Sequence, residues 1–74
     1  MSFEELIKEK LWPTLVETVH ALTMYAHHKA YTRDTILQET PEMTPVELAV
    51  RLKMPLGEAL VILHELMAER TLQP

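Results

Sequence analysis

Apolar residues return every three or four positions along most of this chain, and prolines are what interrupt the pattern. Phe3, Ile7, Leu11, Leu15, Val19, Leu22 and Ala26 fall on one stripe of a helix. Ser2 and Glu5 form the S-x-x-E pattern of a capping box, with Met1 and Leu6 placed to staple across it, so a helix is predicted from about residue 3. Pro13 has no N–H for the carbonyl of Glu9, and its ring crowds that turn. The helix therefore either kinks at Pro13 or splits there, with Thr14 to Lys29 continuing the stripe.

Past Tyr31 the punctuation becomes denser. Thr32 and Asp34 are candidate N-caps for a short helix holding Ile36 and Leu37. The segment from Thr40 to Pro45 has two prolines in six residues and reads as a linker, while Thr44, Pro45 and Glu47 match a cap, a first-turn proline and a capping box. A helix from Pro45 to about Lys53 should bury Leu48, Ala49 and Leu52. Met54-Pro55 forces a turn, because the residue before proline is pushed out of the helical region. A last helix runs from near Leu56 to about Arg70, and only Met43 and Leu72 offer short extended pieces. The expectation is one all-α domain over residues 1–74. It comprises a long, kinked N-terminal helix (1–30) that serves dimerisation and a three-helix core (33–72).

A chain of 74 residues has little core to spare, and with no cysteine it has neither disulfides nor thiolate zinc as a staple. Oligomerisation is the remaining substitute, so a homodimer through the N-terminal helices is expected. Hydrophobic residues at 47% and charged residues at 24% set the chain apart from disordered sequences. No apolar run reaches a membrane span, and the start carries no signal-peptide pattern, so a cytoplasmic location without membrane contact is expected. The net charge of −4 divides into −1 over residues 1–30 and −3 over residues 31–74. Neither half is basic, which disfavours nucleic acid as a partner.

The stretches Arg33-Asp34-Thr35-Ile36-Leu37, Met43 to Leu52 and Pro55 to Arg70 follow the pattern T-P-x-E-L-A-x-x-L, a short turn and a second amphipathic helix. Residues 33–72 thereby resemble the helix-turn-helix core of the winged-helix superfamily, without a wing after the third helix. The resemblance implies a DNA-binding module or a protein-binding derivative of one. In such a module the turn position held by Lys53 is often glycine.

Advancing 100° per residue from Leu56 puts Leu56, Ala59, Leu60, Leu63, Leu66 and Met67 on one face, expected to be the core. Glu58, Val61, Ile62, Glu65 and Glu69 fall on the other, which a DNA-bound relative would turn toward phosphate. Val61 and Ile62 there admit three readings: scattered surface residues, burial beneath the N-terminal helix of the same or a partner chain, or a partner surface. The run Ala59 to Leu63 is apolar all round, which favours burial. The candidate partner-binding residues are Trp12, Val61, Ile62, Glu58 and Glu65. If DNA is bound instead, Lys29, Arg33, Arg51 and Lys53 are the candidate phosphate contacts, with Arg51 and Lys53 flanking the turn.

Catalytic chemistry finds little support. The one serine, Ser2, has a capping role, and Gly57 alone cannot build a phosphate loop. Glu17 and His20 match the E-x-x-H spacing of carboxylate-bridged metal bundles, yet no neighbouring ligands accompany them. His27, His28 and Lys29 read as cations at a helix C-terminus, and His64 as an imidazole on a helix flank. Phe3, Trp12, Tyr25 and Tyr31, like Met24, Met43, Met54 and Met67, read as packing residues before anchors or ligands. No enzyme activity, cofactor or metal is expected. The expected function is a small interaction module that binds a protein, with a DNA-binding transcriptional regulator as the alternative.

Overall fold

The computed structural model describes residues 10–72 of the chain, and within them every regular element is helical. The elements are α1 (Trp12–His20), α2 (Tyr25–Tyr31), a π-helical stretch (Thr32–Ile36), a closing turn α3 (Leu37–Glu39), α4 (Pro45–Leu52) and α5 (Leu56–Leu72). The capping box and staple expected at residues 1–6 lie outside the described residues, as does any helix before Lys10.

Pro13 stands in the first turn of α1, where its missing N–H costs no internal bond. Lys10 and Leu11 just before it are in the wider π conformation, and the Thr14 hydroxyl donates to the Lys10 carbonyl at 2.8 Å. The helix does not continue to Lys29 as the stripe suggested. It ends at His20, and bonds from Ala21 N–H to the Thr18 carbonyl (3.1 Å) and from Leu22 N–H to the Val19 carbonyl (3.0 Å) tighten the chain into a turn. Helix then resumes at Tyr25.

The interruption expected at Tyr31 to Asp34 is instead helical. Thr32 is fully buried, and its hydroxyl donates to the His28 carbonyl at 2.7 Å, an interior back-bond in place of a cap. Asp34 accepts from Arg33 and caps nothing. One turn opens to the π form across Thr32–Ile36, which brings Ile36 fully into the core.

The second half follows local chemistry closely. Thr44 is the N-cap of α4: its hydroxyl oxygen accepts from Glu47 N–H at 3.2 Å, and its hydroxyl donates to the Glu47 carboxylate at 2.8 Å. Lys53 ends α4 in the left-handed region (φ 56°, ψ 47°), the lone positive φ among the described non-glycine residues. Met54 N–H then reaches the Ala49 carbonyl at 3.0 Å, closing a Schellman-type cap. The turn position thus demands the glycine-like conformation even though lysine occupies it.

α5 is the central element, with α1, α2 and α4 all packed against it. Ile36, Leu48, Met54, Ala59, Ile62, Leu63 and Leu66 form one buried cluster, and Tyr25, Leu37, Met43, Ala49 and Leu52 pack on it. The buried arc of α5 is centred on Ile62, so the expected core face is corrected by a rotation. Val61 and Ile62 are fully buried, while Leu56, Leu60 and Met67 lie on the outside. The reason is that α1 and α2 cover the arc carrying Glu58, Val61 and Glu65.

Candidate functional site

Two features of the fold carry chemistry: a polar seam between the α1–α2 hairpin and α5, and an apolar groove on the opposite side of α5. The seam is built from Glu58, Glu65 and Glu69, which share one flank of α5 at spacings of seven and four residues. Each meets a group from the hairpin. His28 Nδ1 donates to Glu58 at 2.5 Å, with the Glu58 side chain 3% exposed. His20 Nε2 donates to Glu65 at 2.7 Å, and the Tyr25 hydroxyl donates to its other oxygen. Lys29 bridges Glu69 at 2.7 Å and Glu65 at 3.5 Å, with its ammonium 5.9 Å from the Tyr25 ring centroid. The His20 and Tyr25 rings lie 4.8 Å apart.

This arrangement sets the ionisation of the seam. Burial pushes the Glu65 carboxyl up, but the Tyr25 and His20 hydrogen bonds and the Lys29 charge together hold it below its ordinary value. Burial and the adjacent Glu65 carboxylate push the Tyr25 phenol up. Burial pulls the Lys29 ammonium down, and Glu69 and Glu65 outweigh that effect and raise it. Charged forms are thus favoured at Glu65 and Lys29, as befits a structural latch.

The seam corrects the expected partner surface. Glu58, Val61 and Ile62 are buried inside the chain and offer nothing to a partner, because the hairpin already covers them. Glu65 is half-buried and fully engaged. Trp12 is the exception: half-buried, it packs edge-on to His64 at 5.0 Å and keeps a face toward the groove.

The nucleic-acid candidates are not gathered into one patch. Lys29 belongs to the seam, and Arg33 pairs with Asp34 on the π stretch. Arg51 pairs with Glu39 at 3.2 Å, and Lys53 stands beside it at the end of α4. His20, the possible metal ligand, is turned to Glu65 while Glu17 is exposed, and among the described residues no three His, Asp or Glu side chains converge. Nor is any described helix long and apolar enough to cross a membrane.

The groove was not foreseen. It holds about 370 Å³ between the outer side of α5 and the loop after α3, walled by Trp12, Leu37, Met43, Leu60, Leu63 and His64. Met67 lines it as well, and Leu56 extends the exposed apolar stripe along α5 beyond it. The signal for both features was present in the three glutamates: carboxylates on one flank of an otherwise apolar helix require partners, and His20, His28 and Lys29 were available to supply them. Covering that flank turns the leucine stripe outward. Comparison with protein-family models, curated proteins and solved structures finds no match to the chain.

Proposed function

We propose that this chain is a non-catalytic interaction module, homodimeric, that binds a protein partner through the outer face of α5 on a helix-turn-helix-like core. The observation that carries the reading is the exposed stripe of Leu56 and Leu60 beside a groove with an aromatic wall at Trp12. Apolar grooves along a helix accept the hydrophobic face of a partner helix, and aromatic walls commonly supply the anchoring contact. The helix α4, the left-handed Lys53 turn and the helix α5 support the helix-turn-helix likeness. The test is native copurification from the source cells with the full chain and with Leu60→Asp. The reading predicts a stoichiometric protein that the variant loses, and equal retention by both would sink it.

A DNA-binding regulator is the second reading, favoured by Lys53 and Arg70, which form no ion pair among the described residues and sit toward opposite ends of α5. Against it, the outward positions Leu56, Leu60, His64 and Met67 offer bases and phosphates little to bond. A low-salt gel shift separates the two. Binding that falls steeply with salt and disappears in Arg51→Ala/Lys53→Ala would establish the DNA reading.

A further inference from the structure

α4 packs its Leu48, Ala49 and Leu52 side inward and turns a second apolar edge to solvent. Val46 is 61% exposed and Val50 73%, one helical turn apart. Isolated exposed valines are ordinary. These two instead line a shallow cleft completed by Thr40, Met43, Glu47 and Arg51. Val50 is thus a protruding knob beside a hollow edged by Met43. The charges on the same edge are ordered, with Glu47 in the first turn and Arg51 in the last.

We propose that this edge of α4 binds a second copy of the chain, with the two α4 helices antiparallel across a two-fold axis. The inference deepens the homodimer reading above and moves its interface. Within the described residues Val19 and Leu15 of the N-terminal stripe are turned to the chain's own α5, the latter close to Gly57, so the middle of that stripe is already covered, while Leu11 and Leu22 stay exposed.

A two-fold contact must be self-complementary: what residue i meets at j, residue j must meet at i. An antiparallel pairing centred between Leu48 and Ala49 satisfies this. Each Val50 enters the hollow beside the other copy's Val46, and each Glu47 faces the other copy's Arg51. A parallel pairing would oppose Glu47 to Glu47 and Arg51 to Arg51. Local contacts preset both charges: the Thr44 hydroxyl holds one Glu47 oxygen at 2.8 Å and leaves the other open, and Glu39 holds Arg51 at 3.2 Å. The dimer would then join Glu39, Arg51 and the second copy's Glu47 in one network on each side.

The size of the patch limits the strength to be expected. A helix of eight residues is about 12 Å long, so the contact falls short of the roughly 1,200 Å² of a standard interface. Dimerisation in the range of roughly tens to hundreds of micromolar follows.

Sedimentation equilibrium of the full chain from about 10 μM to about 1 mM tests this, with thermal unfolding of each variant as the control for folding. Wild type should pass from monomer to dimer over that range. Val50→Glu should weaken association at least about tenfold, as should Glu47→Arg and Arg51→Glu singly, whereas Glu47→Arg/Arg51→Glu should return to within about threefold of wild type. A wild type that stays monomeric at the highest concentration overturns both this inference and the homodimer reading. A dimer indifferent to Val50→Glu and Glu47→Arg overturns the α4 interface and leaves the homodimer reading standing. Single charge variants that weaken association without recovery in the double variant overturn the antiparallel pairing.

Discussion

Replacing His28 by alanine should be among the most damaging single changes in this chain, although His28 belongs to no apolar cluster. Glu58 is 3% exposed, and His28 Nδ1, at 2.5 Å, is its side-chain partner in the described structure. Removing the hydrogen-bond partner of a buried carboxylate leaves it unsatisfied, at a cost of about 1–3 kcal/mol and more where the group is charged. His28 retains some exposure, so water entering the vacated space should keep the loss near about 3 kcal/mol. At about 0.05–0.15 kcal/mol per residue, 74 residues give a total stability of about 4–11 kcal/mol, so this single loss removes a large share. The melting temperature should fall by more than about 12 °C. Replacing the acid behaves differently, since Glu58→Met removes the charge that needs a partner and should be neutral or mildly stabilising. The double variant His28→Ala/Glu58→Met should therefore recover most of what His28→Ala loses. Urea unfolding followed by far-ultraviolet circular dichroism at pH 7 measures all three. A loss below about 1 kcal/mol for His28→Ala, or Glu58→Met as costly as His28→Ala, would refute the account of a buried acid that must be matched.

Three further outcomes follow from the same contacts. Because its folded-state partners hold the Glu65 carboxyl low, its contribution is present above the unfolded value and lost as the pH falls through the folded one. Wild type should then lose stability on acidification below about pH 4 more steeply than Glu65→Gln, and parallel profiles would show that Glu65 is not the group responsible. Lys53→Gly should raise the urea midpoint, by roughly 0.5–1 kcal/mol in stability, because lysine is held at φ 56° where glycine is unstrained; an unchanged midpoint contradicts that backbone assignment. Ile62→Ala should cost about 2–5 kcal/mol and Leu60→Ala about 1 kcal/mol or less, and the reverse order would restore the face of α5 that periodicity alone suggested.

The parts of the fold that could be read in the sequence are those decided by bonds between near neighbours. Thr44, Pro45 and Glu47 start α4 through a hydroxyl, a fixed φ and a carboxylate within four residues, and Met54-Pro55 ends the turn by steric exclusion of helix. Neither depends on the rest of the chain. The turn at Ala21 to Met24 has no glycine or proline to announce it. It lets both His20 and Tyr25 reach Glu65, about forty residues away in sequence, and that destination is invisible in the local pattern. Thr32 misled for a related reason: a threonine after a helix reads as a cap, but a buried hydroxyl bonded to the carbonyl four residues back lets the helix run on.

The rotation of α5 follows from the same distinction. Leu56, Leu60 and Met67 on one side compete with Val61 and Ile62 on the other, and their apolar areas are too alike to choose between the faces. The glutamates decide it, because the α1–α2 hairpin carries the matching His20, Tyr25, His28 and Lys29, and docking that hairpin buries Val61 and Ile62 along with the acids. The case against DNA is consequently changed in kind. Three carboxylates expected to repel phosphate are each matched by a group of the α1–α2 hairpin, with Glu58 buried and Glu65 and Glu69 still partly exposed. Under the proposed reading DNA is disfavoured instead by the solvent side of α5, where Leu56 and Leu60 stand in positions that a DNA-reading helix fills with hydrogen-bonding side chains. A surface that apolar loses less by meeting another protein than by meeting the hydrated, charged groove of a duplex.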